Sequence, residues 1–162
     1  MILLGFRGGR FISENKSFLS VSNGGKLVFG GACCIAEGTN IYADGGTVSF
    51  GNNFYANRNL QIECYKDISF GNDVLMGWNI SIRDSDGHTI RLNGTARPSA
   101  GRITIGRHVW VASDVTILKN SAIRPGCAVG CNSTVCGKYY PENCLIAGSP
   151  AAVVRENIEW EE

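Results

Sequence analysis

Hydrophobic side chains recur every six residues through the second half of the chain. The period begins at residue 105 and holds through six aliphatic positions: Ile105, Val111, Ile117, Ile123, Val129 and Val135. Four residues after each of the first five comes a second small or aliphatic side chain: Val109, Val115, Ser121, Cys127 and Ser133. Neither the 3.6-residue period of a helix nor the two-residue alternation of a long strand gives this spacing.

Short strands that alternate with polar turns explain a six-residue period, because each unit then directs two side chains inward. If three units close a triangle, each coil takes about 18 residues, and successive coils pair as parallel strands about 4.8 Å apart. The pattern therefore predicts an all-β solenoid of stacked, three-sided coils.

The first half of the chain carries the same organisation with longer coils. The pattern apolar-x-apolar-Gly occurs at residues 27–30, 48–51, 68–71 and 103–106, at intervals of 21, 20 and 35 residues. The interval of 35 equals one coil plus 17 residues, which predicts an excursion loop over residues 83–102. A long loop that leaves a regular solenoid is usually functional.

We expect a single domain over residues 1–162, because no second pattern follows the first. Residues 1–26 show only hints of the period and are predicted to form a weak first coil or a cap. The period stops after Val135, so residues 141–162 are predicted to form a last short strand and a tail. From Arg155 onward we expect a short helix or a frayed end.

Composition narrows the class of protein. Glycine accounts for 21 of 162 residues, about twice its usual share, which indicates many tight turns. The formal net charge of +1 argues against a nucleic-acid partner, and no apolar run approaches the ~20 residues of a membrane span. The seven cysteines contain no C-x-x-C pair and the N-terminus lacks the charged region of a signal peptide, so we expect reduced thiols and a soluble, cytoplasmic protein.

Three separated segments, in this order, carry a resemblance to a known family: residues 55–62 (YANRNLQI), 86–90 (DGHTI) and 105–111 (IGRHVWV), followed by IAGSPAAVVR at 146–155. Together with the hexads they resemble the hexapeptide-repeat acyltransferases, especially the maltose/galactoside and Nod-factor O-acetyltransferase branch. The resemblance implies a left-handed parallel β-helix, a homotrimer, and acetyl-CoA bound along the groove between neighbouring subunits, with no metal. It also implies acetyl transfer to a sugar hydroxyl, in a small-molecule acceptor or in an oligosaccharide or surface-polysaccharide precursor.

The resemblance assigns the catalytic base to His88, in the excursion loop. Acyl transfer from a thioester to a hydroxyl needs a base, and the ordinary pKa of histidine, about 6.5, suits this role at neutral pH. The second histidine, His108, lies in a polar turn and is expected to be structural. A neutral donor aimed at the developing oxyanion contributes roughly 2.7–4 kcal/mol. Asn59 is the candidate for that donor, and Asn57 is the alternative.

The remaining candidates bind substrates. Asp84 and Asp86 could orient the imidazole or bind sugar hydroxyls, and both are equally compatible with ordinary turns. Trp110 precedes the inward Val111, so it should point outward, where the resemblance puts a tryptophan beside the reacting centre and the pantetheine arm. The resemblance also implies that five residues contact coenzyme A, the last two near its phosphates: Ala112, Ser113, Cys131, Lys138 and Arg155.

Other functions remain open at this point. An N-acetyltransferase acting on an amino sugar would need the same base and groove with a different acceptor pocket. A non-catalytic β-helix scaffold would have no need of His88, Asn59 and Trp110 together. A zinc enzyme on the same solenoid commonly uses three histidines per site, and this chain has two.

Overall fold

The chain winds into a β-helix of six coils, each containing three short strands that stack on the next coil. The computed structural model describes residues 1–6 and 16–161. The first three coils contain β1 (Ile2–Phe6), β2 (Phe18–Ser22), β3 (Lys26–Phe29); β4 (Cys33–Ala36), β5 (Asn40–Asp44), β6 (Thr47–Phe50); and β7 (Phe54–Ala56), β8 (Leu60–Cys64), β9 (Asp67–Phe70).

The fourth coil carries an insertion, and the sixth is followed by a terminal hairpin. The strands are β10 (Leu75–Met76), β11 (Ile80–Arg83), an inserted β12 (Arg91–Leu92) and β13 (Thr95–Ala96), and β14 (Ile103–Ile105); β15 (Trp110–Val111), β16 (Thr116–Leu118), β17 (Ala122–Ile123); β18 (Ala128–Val129), β19 (Thr134–Val135), β20 (Tyr139–Tyr140); and β21 (Leu145–Gly148), β22 (Ala151–Arg155).

Three parallel sheets form the faces of the prism. Face A contains β1, β4, β7, β10, β15, β18 and β21, with β22 antiparallel at its end. Face B contains β2, β5, β8, β11, β16 and β19, and face C contains β3, β6, β9, β14, β17 and β20. We name the turns between them the A–B, B–C and C–A corners, in chain order. The predicted parallel β-helix is thereby confirmed.

The core is the column of inward side chains. Every hexad position predicted to point inward is buried, and three phenylalanines, Phe50, Phe54 and Phe70, pack ring against ring in the wider coils with centroids 4.8–5.2 Å apart. Burial of these apolar side chains is the main stabilising contribution, because the short strands of one coil cannot exclude water without the next coil.

Strand registers reproduce the spacings read from the sequence. On face C, Leu27 pairs with Val48, Val48 with Ile68 and Ile68 with Ile103, which are offsets of 21, 20 and 35 residues. Ile105 pairs with Ile123, an offset of 18. The offset of 35 falls where the excursion leaves the prism, between Arg83 at the end of β11 and Ile103 at the start of β14.

Both ends of the prism differ from its middle. The described part of residues 1–26 forms a first coil that pairs with β4, β5 and β6, and residues 7–15 lie outside the described residues. At the other end, Tyr140 replaces the inward aliphatic side chain, is buried, and donates its hydroxyl to the Ala151 carbonyl at 3.1 Å.

The expectation of a helical or frayed tail is wrong. Residues 156–161 contain no helix, and the amide of Ile158 donates to the Asn143 carbonyl at 2.9 Å. The tail is therefore docked along the C–A corner. Across residues 1–6 and 16–161 we find no helical segment with the length and apolar character of a membrane span.

Candidate active site

A line of small residues runs parallel to the helix axis at the A–B corner, below Asn57. Backbone hydrogen bonds of 2.7–3.0 Å link each coil to the next here, from Asn57 N–H to the Met76 carbonyl and onward. Gly77 cannot be larger, because a Cβ there would lie 2.8 Å from the Ala112 carbonyl carbon. The result is a shallow track that we call the small-residue groove: Gly77, Ala112, Gly130 and Ala147.

Asn57 is half-buried at the head of this groove. Its Nδ2 donates to the Met76 carbonyl at 3.2 Å. A side-chain amide carries two N–H donors, so this bond fixes the orientation of the amide and leaves one N–H for another acceptor.

Asn59 lies two residues further on and is part of a ladder that connects three coils. Its Nδ2 donates to Asn79 Oδ1 at 2.8 Å, and Asn79 Nδ2 donates to Asp114 Oδ1 at 2.9 Å. All three residues have left-handed backbone torsions, with φ of 65°, 58° and 60°. Asparagine and aspartate tolerate this conformation better than other non-glycine residues, so the ladder is a structural device of the corner.

Trp110, Ser113 and Cys131 flank the groove. Trp110 is 40% exposed on face A, two residues before Ala112, which agrees with its predicted outward direction. Ser113 Oγ accepts a hydrogen bond of 3.3 Å from the Trp78 amide, and Cys131 is exposed one coil below. Trp78, itself 42% exposed at the same corner, was missed by sequence analysis.

A buried ion pair supports the head of the groove. Arg58 Nε lies 3.0 Å from Glu37 Oε1, and both side chains are less than a tenth exposed. Removing one partner from such a pair leaves an uncompensated buried charge, which is strongly destabilising. Nothing in the local sequence identifies the pair, because its partners lie one coil apart.

The excursion loop leaves from the B–C corner and is tied down at its base. Ser85 and Ala100 form an antiparallel bridge, and the Asp86 amide donates to the Ser99 carbonyl at 2.9 Å. The Lys119 ammonium pairs with the Asp86 carboxylate. His88 is exposed two residues beyond this anchor and makes no hydrogen bond to any described residue that the structure records.

The Asp84 carboxylate is buried and bound by backbone amides. It is fully buried, its Oδ1 accepts the Tyr65 amide at 2.8 Å, and its Oδ2 accepts the Lys66 and Asp67 amides at 2.7 and 3.1 Å. Three backbone donors hold this carboxylate inside the corner and leave it no exposed surface. A sugar hydroxyl therefore has no access to the Asp84 carboxylate, contrary to the predicted role in acceptor binding.

The predicted site residues fall into separate groups within one chain. Asn57, Asn59, Ala112, Ser113 and Cys131 share the A–B corner, with Trp110 beside them. Asp84, Asp86, His88 and Lys138 share the B–C corner. Arg155 pairs with Leu145 at the end of face A that adjoins the C–A corner. Face B separates the first two groups.

His108 is occupied by the tail. Its ring stacks on Trp160 with centroids 4.1 Å apart and planes 6° from parallel. His108 Nε2 lies 3.1 Å from the Trp160 carbonyl, and Trp160 Nε1 donates to the His108 carbonyl at 3.2 Å. A carbonyl only accepts, so Nε2 of His108 carries the proton and is not a base. His108 is structural, as predicted, and its partner lies 52 residues away.

The cysteines are unpaired thiols with unequal access to solvent. All seven are free; Cys33, Cys64, Cys127 and Cys144 are buried, and Cys131 is exposed. Burial raises the pKa of Cys33 to about 12, with a smaller contribution from Cys34, and burial with the nearby Asp84 raises the pKa of Cys64 to about 12. The described residues contain no group of three or more His, Cys, Asp or Glu side chains that could hold a metal ion.

No protein-family model matches the chain, but individual proteins do. It is 31% identical over 149 residues to an uncharacterised 24.8 kDa protein in the cps region of Klebsiella pneumoniae, covering 91% of this chain and 66% of that protein. It is 34% identical over 118 residues to galactoside O-acetyltransferase of Escherichia coli K12, covering 71% of this chain and 57% of that enzyme. The chain thus spans 57–66% of the length of these relatives.

Solved structures give the same architecture. A galactoside acetyltransferase in complex with coenzyme A superposes with a TM-score of 0.59 at 26% identity, covering 82% of this chain and 64% of that one. The polySia-specific acetyltransferase NeuO superposes with a TM-score of 0.68 at 23% identity, covering 99% of this chain and 78% of that one, a likeness that shows a shared fold.

Proposed function

Because the chain belongs to the hexapeptide-repeat acyltransferase family, we propose that it transfers an acetyl group from acetyl-CoA to a sugar hydroxyl. One observation carries the proposal. Of the two imidazoles in the sequence, His108 is bound by Trp160, whereas His88 is exposed on the anchored excursion loop. A base that must reach the hydroxyl of an incoming substrate needs such a position.

The site is completed by a second copy of the chain. Asn57 and His88 lie at opposite corners of face B, and a strand of five residues such as β8 spans roughly 15 Å at about 3.3 Å per residue. Asp86 and Lys119 anchor the loop at its own corner, so one chain does not bring the two groups together. In a cyclic homotrimer, the B–C corner of one copy meets the A–B corner of the next. Each boundary between subunits, which we call a seam, then contains His88 from one copy and Asn57 from the other.

The reaction follows from these positions. His88 accepts the proton of the sugar hydroxyl as the oxygen attacks the thioester carbonyl carbon. The tetrahedral oxyanion receives a hydrogen bond from the Asn57 amide, which Met76 already holds in place. Collapse breaks the carbon–sulfur bond, and the departing thiolate of coenzyme A takes the proton from the His88 imidazolium.

We assign the oxyanion contact to Asn57 rather than Asn59. The Asn59 amide donates to Asn79 in a ladder that also includes Asp114, so redirecting it toward a substrate would break a bond between coils. Asn57 uses a single side-chain bond to a backbone carbonyl. An oriented amide with a second N–H is the arrangement that stabilises a transition state without reorganisation.

The small-residue groove provides a surface for the pantetheine arm. Ser113 and Cys131 flank it, and Trp110 is exposed on face A two residues before Ala112. Lys138, brought by the neighbouring copy, and Arg155 supply positive charge for the phosphates. Seven unpaired thiols support a reducing compartment, and we infer that the reaction takes place in the cytoplasm.

The test is thiol release from acetyl-CoA in the presence of a galactoside, maltose, glucosamine or no sugar. We expect release with a hydroxyl acceptor and an ester-linked acetyl group by mass spectrometry. His88→Ala should lower turnover by roughly 10²–10⁴, the typical contribution of a general base. Thr89→Ala, in the same exposed loop, is the matched control and should retain activity.

Two outcomes contradict the proposal. Thiol release from acetyl-CoA that requires an amino sugar, with an amide-linked acetyl group in the product, would identify an N-acetyltransferase. No release with any acceptor, together with no binding of coenzyme A by calorimetry, would favour a non-catalytic scaffold.

A further inference from the structure

A cleft at the C–A corner belongs to neither of the two groups of site residues. It has a volume of about 230 Å³ and lies between face A and the docked tail. Tyr55 and Leu75 form one side, His108 and Trp160 form the other, and Asn53 and Asp73 lie at the rim.

The tail side of the cleft is rigid. Trp160 is held by the ring stack on His108, by reciprocal hydrogen bonds between each ring and the other residue's carbonyl, and by the Ile158 bond to Asn143. Its ring also lies 6.2 Å from that of Trp110. A preorganised aromatic wall loses little conformational entropy when a ligand binds.

The rim adds polar groups that bind hydroxyls. Asn53 and Asp73 are both exposed, and Asn53 Nδ2 donates to Asp73 Oδ1 at 3.0 Å. This bond orients an amide and a carboxylate side by side, which together offer both donors and acceptors. Apolar rings beneath a few convergent polar groups are the usual composition of a small-molecule site.

The charged side chains around the cleft restrict the class of ligand that it can bind. Asp73 contributes a carboxylate to the cleft. Glu159 and Glu161, on the docked tail, line a second pocket that shares His108 and Trp160 with the cleft. No lysine or arginine is among the described residues that line the cleft. Phosphates and acidic sugars are therefore disfavoured, and a neutral ring with apolar C–H faces and adjacent hydroxyls fits best.

We propose that this cleft binds one neutral pyranose ring of the acceptor, next to the ring that receives the acetyl group. Tyr55 lies two residues before Asn57 on the same strand path, a separation of about 7 Å. That distance suits neighbouring units of one glycan. The inference rests on the proposed function and extends it, because it makes the chain selective for acceptors with at least two sugar units.

The test measures binding and turnover separately. Binding of maltose and lactose is followed by saturation-transfer NMR and titration, and acetyl transfer is compared between galactose and lactose. In Trp160→Ala we expect the Kd for lactose to rise at least tenfold and the KM for lactose to rise in parallel, while turnover of galactose is unchanged. Trp160→Phe keeps a stacking ring without the indole N–H, and its Kd should rise two- to fivefold.

Two further variants separate recognition from folding. Asp73→Gly removes the rim carboxylate, keeps the left-handed backbone torsion (φ 58°) and does not touch the tail; it should also weaken lactose binding at least tenfold. Tyr65→Ala removes a partly exposed aromatic ring from the far end of face B and should leave binding unchanged. Sialyllactose, which carries a carboxylate, should bind wild type at least tenfold more weakly than lactose.

Failure of the sugar-binding cleft and failure of the proposed function give different results. Equal lactose binding by wild type, Trp160→Ala and Asp73→Gly overturns the proposed sugar-binding cleft, as does a lack of binding of any neutral disaccharide to wild type. Acetyl transfer to galactose in either case leaves the proposed function standing. Disaccharide binding that depends on Trp160, without any thiol release from acetyl-CoA, removes the proposed function and leaves a glycan-binding cleft.

Discussion

The A–B and B–C corners start from the same repeat and end with different properties. At the A–B corner the chain turns in nearly the same way in successive coils, and Asn59, Asn79 and Asp114 bond side chain to side chain down the stack. At the B–C corner the repeat is broken in the fourth coil by the excursion over residues 84–102. Under the proposed function, the regular corner provides rigid positions for hydrogen-bond donors, and the insertion provides the reach that the base needs.

In the proposed mechanism, this difference is the reason that neither corner suffices alone. The small-residue groove is the proposed surface for the acyl donor, but the A–B corner contains no histidine, and the Asn57 amide does not accept a proton near neutral pH. The loop offers His88, but its neighbours Asp84 and Asp86 are committed to backbone amides and to Lys119. The proposed mechanism therefore depends on how two copies of the chain meet.

The strongest test of this comparison is complementation between two inactive variants. His88→Ala and Asn57→Ala are each expected to lose most activity, by roughly 10²–10⁴ for the base. If the subunits mix at random in a cyclic trimer, about one quarter of the seams regain both residues and a comparable share of activity returns. Co-expression with two affinity tags, followed by the thiol-release assay, measures the recovery.

A chain that carries both substitutions is the control, and mixing it with either single variant should recover nothing beyond the level of that variant. If mixed His88→Ala and Asn57→Ala oligomers stay inactive, each site lies within one chain and the two-corner model fails.

The second test separates the two asparagines of the A–B corner. Asn57→Ala should lower kcat by roughly 10²–10³, as for the loss of an oxyanion donor, and should lose about 1 kcal/mol of stability with its hydrogen bond to the Met76 carbonyl. Asn59→Ala should retain kcat and lose about 2–3 kcal/mol of stability, because it removes the ladder hydrogen bond and places alanine at a left-handed backbone position. Steady-state kinetics and thermal unfolding measure both properties.

Asn79→Ala, in the same ladder, is the control: it should also retain kcat, with a larger loss of stability, because Asn79 bonds to both Asn59 and Asp114. A large loss of kcat in Asn59→Ala with unchanged unfolding would restore the original assignment of Asn59 as the oxyanion donor.

Much of the fold could be read from the sequence because the repeat is local. Each hexad places its own inward side chain, so Ile105 through Val135 were correctly assigned without knowledge of neighbouring coils, and the break in the period located the excursion. The outward direction of Trp110 followed from the same register.

The site was less predictable because its contacts join distant residues. Asn57 and Asn59 look alike in the sequence, and only the ladder to Asn79 distinguishes them. The Glu37–Arg58 pair and the Trp160–His108 stack connect residues 21 and 52 positions apart, with no motif that announces them. Asp84 resembled any turn aspartate until its three backbone donors were seen.

The smallest expected effect concerns thiol chemistry, and it sharpens the contrast between the groove and the core. Cys131 is exposed beside the small-residue groove, so iodoacetamide should modify it first in the native protein. Cys33 and Cys64, with a pKa of about 12, hold roughly one part in a thousand as thiolate at pH 9 and are buried as well. Raising the pH from 7 to 9 should therefore leave both unmodified until urea unfolds the chain.

Peptide mass spectrometry measures alkylation at each cysteine. Acetyl-CoA should slow labelling of Cys131 two- to threefold while leaving the half-buried Cys34 unaffected. Equal protection of Cys34 and Cys131, or none at Cys131, would show that the donor lies elsewhere than along this corner.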